Sequence, residues 1–409
     1  IYIVLALTFG YTMIVAETAI GRMTRKSPVG AFKSFGKKKW LSFGGWINAV
    51  IPVLIVPYYS VIGGWVIKYL VEYFRGNAKQ LAEDGYFTDF ISNGVSTELC
   101  FMAFCAFTLI IIFAGVQNGI ERVSKIMMPI LIVLSVIIAV YSVTRPGALA
   151  GVKYFLVPNV KNFSWMTVVS AMGQMFYSLS IAMGILITFG SYMKKDTAIE
   201  DSTRNVEVFD TGIAIMAGLM IIPAVFAFSG GDPNTLQAGP SLMFITIPKV
   251  FQNMGFGTVI GIVFFLLVLF AAVTSSIALT ESAVSTFEDE LGWGRKKATV
   301  LVGVIMLALG SLSSLGYGPL AGIKIIGMQF LDLFDFLTNS VMMPIAALLT
   351  SLLVSRVVGI DKIEDEIIHG ESAFRRKKVF VVMIKYLCPV FAIIILLSSV
   401  ANALGWIKM

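Results

Sequence analysis

The sequence predicts an all-α protein embedded in a lipid bilayer, and three observations carry that prediction. Hydrophobic side chains make up 57% of the 409 residues, and mean hydropathy is +0.87. The apolar residues run continuously in long stretches instead of alternating as barrel strands do. With roughly 20 residues per spanning helix, the length accommodates about ten crossings and no sizeable soluble domain. Cys100, Cys105 and Cys388 all lie inside apolar runs, and His369 is the single histidine. A disulfide framework and an imidazole metal site are therefore excluded. The net charge of +7 comes from short loops, where basic residues set membrane orientation, so nucleic acid is not an expected partner.

Ten spans are read in order, at roughly 1–21, 42–74, 98–117, 122–144, 165–193, 207–229, 256–287, 297–315, 325–355 and 379–405. Each is rich in Leu, Ile, Val, Phe and Ala. The first ends at Arg22, Arg25 and Lys26. The second follows Lys37, Lys38 and Lys39, carries Pro52 and Pro57, and with the fifth, seventh, ninth and tenth exceeds 25 residues, which implies tilt, bends or ends beyond the lipid. The fourth starts at Arg122, and the fifth ends before Lys194 and Lys195. Arg204 precedes the sixth. Arg295, Lys296 and Lys297 separate the seventh from the eighth, and the run from Arg356 to Lys378 separates the ninth from the tenth.

These basic loops alternate, 21 basic residues on one side against nine on the other. The positive-inside rule makes the first set cytoplasmic and puts Ile1 and Met409 outside. An external start beginning at Ile1, with no signal-peptide pattern, leads to the expectation that at least one preceding span is missing; a start assigned downstream is the alternative.

No G-x-x-x-x-G-K-[ST] loop, H-E-x-x-H or G-x-S-x-G occurs, so an ATP-driven pump and a familiar intramembrane enzyme lose support. The informative residues are polar groups inside spans, because each is costly in hydrocarbon unless it pairs or lines a cavity. In the fifth span, Gly173 to Gly184 reads Gly-Gln-Met-Phe-Tyr-Ser-Leu-Ser-Ile-Ala-Met-Gly. A helix broken there would free carbonyls for a cation and N–H groups for a carboxylate; alternatively, its small residues serve close helix packing. In the seventh span, Thr274, Ser275 and Ser276 follow Ala271-Ala272-Val273. They could supply hard oxygen ligands or simply back-bond to the preceding turn. Tyr58 and Tyr59, before Gly63, Gly64 and Trp65, could hold a ligand carboxylate or form an interfacial aromatic pair. Glu17, Asp210, Glu281, Asp332 and Asp335 are carboxylates within or at the ends of spans, and Glu288-Asp289-Glu290 lies at a cytoplasmic end. Gly119 and Pro129, with nine residues between them, mark a stretch able to unwind.

Taken together, G-Q-M-F-Y-S-L-S-I-A-M-G, A-A-V-T-S-S-I-A-L, F-E-D-E-L, P-Y-Y-S-V-I-G-G-W and F-L-D-L-F-D-F resemble the neurotransmitter:sodium symporter family, in order and over essentially the whole chain. The resemblance implies two inverted five-helix repeats, with the visible spans as family helices 2–11 and the sixth family helix unwound within 173–184. Residues 1–144 would be the remainder of the first repeat, 165–355 the second, and 379–405 an additional span, within one transporter domain over 1–409. The family's first helix, which supplies part of the site, would then be the missing span.

By the same resemblance, Ser178 and Asp210 are ligands of a first sodium, and Ala271, Thr274 and Ser275 of a second. Ile55, Tyr59, Tyr177, Ser178, Ser180, Met183, Ser275 and Leu279 line a substrate pocket, Tyr59 binding the substrate carboxylate and closing a lid with Tyr177. Gln174 and Asp335 belong to the external gate and Asp289 to the cytoplasmic gate, while Gly119 and Pro129 form the element that unwinds for sodium release. Tyr2, Gln174 and Ser178 match chloride-site positions of the family, but Asp210 and Ala214 stand where chloride-dependent members carry asparagine and serine. A fixed carboxylate there implies chloride-independent transport, with Asp210 able to exchange a proton on the return step.

The expected function is sodium-driven symport of a hydrophobic or aromatic amino acid across the cytoplasmic membrane by alternating access, with two sodium ions and no chloride. The expectation is not of an enzyme. The rival readings are a proton-coupled or sodium-independent transporter of another broken-helix family, a channel, and a membrane enzyme. Nothing in the pattern sets an oligomeric state.

Overall fold

The computed structural model describes residues 1–236, 239–403 and 406. Positions 404, 405 and 407–409, which take in the end of the tenth expected span and the C-terminal Met409, lie outside the described residues. Among the described residues the chain is helical throughout, with only an isolated bridge between Ile325 and Met328. Among them, nine helices are long and apolar enough to cross a membrane, and the fifth expected span is present as two shorter helices.

In chain order these are α1 (Tyr2–Thr24), α2 (Lys39–Phe74), α3 (Gly94–Phe113) and α4 (Val116–Val143). The broken span follows as α5 (Trp165–Ser178) and α6 (Ile185–Tyr192). Then come α7 (Ile199–Ser229), α8 (Gly257–Leu291), α9 (Arg295–Leu315), α10 (Phe330–Val358) and α11 (Lys377–Ala403).

Several boundaries differ from the expected ones, and four of them have a local reason. The third span starts at Gly94, not 98, because the Asn93 side chain accepts the Ser96 N–H at 3.1 Å and caps the helix early. It stops before 117 because Gly115, at φ +87°, turns the chain into α4, so Gly119 lies inside a π-helical stretch of α4. The sixth span begins two turns early, at Ile199, since Glu200, Thr203 and Glu207 are buried among partners instead of solvated. The break in the fifth span is narrower than 173–184. Residues 173–178 stay helical, anchored by a reciprocal Ser164–Thr167 capping box at the helix start.

Helix α8 packs along α2, which also carries α3 and α9, while α6 lies against α1 and α7 against α4. The α1–α6 contact is backbone to backbone. A Cβ on Gly21 would sit 2.0 Å from the Ile187 carbonyl oxygen, and one on Gly190 2.5 Å from that of Thr18. Small residues at such crossings replace side-chain interdigitation by direct van der Waals contact between backbones.

Candidate functional site

The chain leaves helical geometry after Ser178 and regains it at Ile185. Ser180 and Ala182 adopt left-handed φ values of 55° and 58°, followed by Gly184 at 74°. A left-handed residue with a Cβ costs about 1–2 kcal/mol, so the surroundings must hold it. Glu17, fully buried on α1, accepts the Ala182 N–H at 2.7 Å. Of the carboxylates singled out in the sequence, this one touches the break itself.

Around the break lies a cavity of about 180 Å³. Helix α2 contributes Ile55 and Tyr59, α5 contributes Tyr177 and Ser178, the break contributes Ser180 and Met183, and α8 contributes Ser275 and Leu279. All eight residues expected in a substrate pocket thus share one cavity. Ile185 and Ala278 line it as well and were missed. Helix arithmetic would have found Ala278, because positions 271, 274, 275 and 278 follow the i, i+3, i+4, i+7 spacing of one face.

Tyr59 and Tyr177 also border an outer cavity of about 590 Å³, which takes in Gln174, Tyr58, Asp332, Asp335 and Asn339. The two tyrosines therefore stand between the chambers. Asp335 accepts the Tyr58 hydroxyl at 3.2 Å and the Asn339 amide. Gln174 lines that outer cavity and stands one turn before Ser178 on α5, so the two share a helix face.

Beside the inner cavity, Asp210 of α7 accepts from Ser178 at 2.7 Å through Oδ1 and from Tyr2 at 2.8 Å through Oδ2. Each hydroxyl spends its proton on the carboxylate and keeps lone pairs for a cation. The cluster is a set of hard oxygens around one formal negative charge, which suits a small alkali cation. On α8 the Thr274 hydroxyl donates to the carbonyls of Phe270 and Ala271, both at 3.0 Å. Back-bonding therefore does occur, yet it leaves the hydroxyl oxygen free to ligate alongside Ser275. Asp289 accepts the Ser27 N–H at 2.6 Å, tying the end of α8 to the loop between α1 and α2. Pro129 lies within the regular part of α4, apart from the cavity residues.

A family model described as "Sodium:neurotransmitter symporter family" matches residues 71–406. The chain belongs to the sodium:neurotransmitter symporter family. This symporter chain is 32% identical over 404 residues to an uncharacterized sodium-dependent transporter, YhdH, of Bacillus subtilis (strain 168), covering 98% of this chain and 89% of the relative. An uncharacterized sodium-dependent transporter of Haemophilus influenzae is 30% identical, with the same coverage. A crystal structure of MhsT in complex with L-phenylalanine superposes with a TM-score of 0.86 at 32% identity, covering 97% of this chain and 90% of that one. Membership of a symporter family makes this symporter a multi-pass membrane transporter and not an enzyme. The fold expected from the sequence, an all-helical membrane protein with a broken fifth visible span, is borne out.

Proposed function

We propose that the protein couples the inward movement of sodium to uptake of a hydrophobic or aromatic amino acid across the cytoplasmic membrane, without chloride. One observation carries this reading: a cavity of about 180 Å³ opens at the helix break, apolar at Ile55, Met183, Ala278 and Leu279 and polar at Tyr59, Ser180 and Ser275. That distribution suits a zwitterion with an apolar side chain, whose charged end meets the break and Tyr59 while its side chain meets the aliphatic wall. The likeness to MhsT bound to L-phenylalanine supports the same substrate class.

In this reading, Ser178 and Asp210 hold one sodium, and Ala271, Thr274 and Ser275 hold a second. Asp210 supplies the negative charge that chloride provides elsewhere, and it exchanges a proton on the return step. Tyr59 and Tyr177 close over the substrate, Gln174 and Asp335 work the outer gate, Asp289 works the cytoplasmic gate, and the stretch from Gly119 to Pro129 yields when the second sodium leaves. Residues 1–144 and 165–355 act as the two inverted repeats, the helix at 379–405 is an addition to them, and both ends of the chain face outward. Two sodium ions contribute about 4.6 kcal/mol per 100 mV, enough for accumulation on the order of a thousandfold.

The test is uptake of a labelled amino-acid panel into proteoliposomes. Accumulation is expected only with an inward sodium gradient, for apolar amino acids, and at the same rate when gluconate replaces chloride. Uptake indifferent to sodium would discard the ion-site roles, and a requirement for chloride would discard the role given to the Asp210 charge.

A further inference from the structure

Helices α1 and α7 are joined by three rungs that run in opposite directions along the two chains. Tyr2 donates to Asp210 at 2.8 Å. Tyr11 donates to Glu200, which also accepts the N–H groups of Arg375 and Arg376 at 2.7 and 3.2 Å. Between them sits a rung that neither helix supplies alone. Arg376, from the loop before α11, grips Glu207 through two hydrogen bonds of 3.1 and 2.6 Å, and its guanidinium lies 3.8 Å from the centre of the Tyr11 ring. The same guanidinium reaches the Leu7 carbonyl on α1 at 3.5 Å. Nothing in the sequence pattern or in the site assignments gives Arg376 or Glu207 a role.

Glu207 and Asp210 are three residues apart on one helix, so their side chains share a face, and both make their contacts toward α1. The Glu207 side chain is 2% exposed and that of Arg376 is 31% exposed. An anion so buried, one turn from the carboxylate read as a sodium ligand, adds directly to the potential at that ligand unless it is cancelled. Arg376 cancels it. We propose that Arg376 is a tuning residue of the first cation site: by neutralising Glu207, it sets the affinity with which Asp210 holds sodium. This rests on Asp210 being a sodium ligand.

The proposal fixes the sign of each substitution, which a merely structural pair would not. Removing Arg376 leaves Glu207 charged and tightens sodium binding, whereas removing the Glu207 charge leaves Arg376 positive and weakens it. The double substitution restores neutrality. A unit charge one turn away in a partly screened site changes cation affinity by about three- to tenfold.

The experiment titrates purified protein with sodium, choline holding ionic strength constant, and reads half-saturation from radiosodium binding and from the sodium-dependent rise in melting temperature. Arg376→Gln is expected to lower half-saturating sodium about threefold or more, Glu207→Gln to raise it by a like factor, and the pair together to return within about twofold of the native value. Single substitutions that shift half-saturation in the same direction, or not at all, overturn the proposal. If Arg376→Gln does not fold, Glu207→Gln and the double variant decide the matter by themselves, since the second must reverse the effect of the first. Asp210→Asn separates the two layers. If it leaves half-saturation unmoved, the ligand assignment fails and this inference with it; if it weakens binding while Glu207→Gln does not, only the role of Arg376 is refuted.

Discussion

Leu279 forms part of the apolar wall of the inner cavity and is itself 5% exposed. Substituting it with alanine removes three carbons from that wall. At about 0.8 kcal/mol per methylene-sized group, a substrate side chain packed against Leu279 loses about 2.4 kcal/mol, on the order of fiftyfold in affinity. The same deletion widens a cavity of about 180 Å³, so an amino acid too large for the native wall gains relative to one that filled it. A buried leucine truncated to alanine also costs stability, typically about 2–5 kcal/mol. Melting temperature must therefore be followed alongside transport. The assay is competition between leucine, phenylalanine and tryptophan for sodium-driven uptake into proteoliposomes, comparing Leu279→Ala with the native protein. Preference is expected to move toward the larger side chains. A parallel loss for all three, with their ratios unchanged, refutes the argument, because it means the leucine supports the fold without touching the substrate side chain.

Glu281 is fully buried and paired with Arg295 by bonds of 2.5 and 3.0 Å. Arg295→Gln strands that carboxylate and should cost about 3–5 kcal/mol, whereas Glu281→Gln with Arg295→Gln should cost much less; thermal melts distinguish these outcomes, and equal losses would contradict the pairing argument. Gly190→Ala drives a methyl to 2.5 Å from the Thr18 carbonyl and is expected to destabilise by at least about 1–3 kcal/mol and to slow uptake, so native-like melting would mean the α1–α6 contact relaxes freely. Glu371, in the loop before α11, is held above the usual carboxyl range by burial, reinforced by the nearby Glu200 and Asp201 and opposed by its hydrogen bond from the Glu200 N–H. Its folded value lies above its unfolded value of about 4.3, so its contribution to stability is complete below that pH and is lost as pH rises through the raised value. Glu371→Gln should flatten that part of the stability profile, and an unchanged slope would assign it to other groups.

The pocket residues were reached by resemblance. Physical reasoning alone left each hydroxyl cluster with two explanations, and for Thr274 both hold at once, since its proton goes to the helix and its lone pairs remain free. Span number followed from apolar run length. Span ends did not, because the side chain of Asn93 and the backbone of Gly115 set one helix, and neither interrupts the hydropathy pattern. Gly173 belonged to the expected break, yet a Cβ there would meet nothing within 4 Å; its glycine signals neither close approach nor unwinding. The contacts least legible were charged. Arg376 counted only among the basic residues of a cytoplasmic loop, and its partner Glu207 stands 169 positions away, a separation over which no periodicity carries information.

The same charges show which parts move together. Helix α1 is bound to α6 by backbone contact at Gly21 and Gly190 and to α7 by the three rungs, so α1, α6 and α7 resist separation. Helix α8 is bound along α2 and, through Glu281 and Arg295, to α9. The seam between these groups, where α6 meets α8, holds hydroxyl hydrogen bonds and no ion pair of its own among the described residues: Thr188 with Ser282 at 3.2 Å and with Ser285 at 3.4 Å, and the Tyr192 hydroxyl donating to the Glu281 carboxylate at 2.7 Å. The hydroxyl pairs are worth only about 0.5–1.5 kcal/mol each and the bond to the carboxylate about 1.5–3 kcal/mol, because water replaces them when the seam opens. Breaking the salt bridges within either group leaves a buried charge without its partner, at about 3–5 kcal/mol. A rearrangement that must expose the inner cavity therefore meets least resistance along the α6–α8 seam, beneath the break at 179–184, where the helix has already surrendered its own hydrogen bonds.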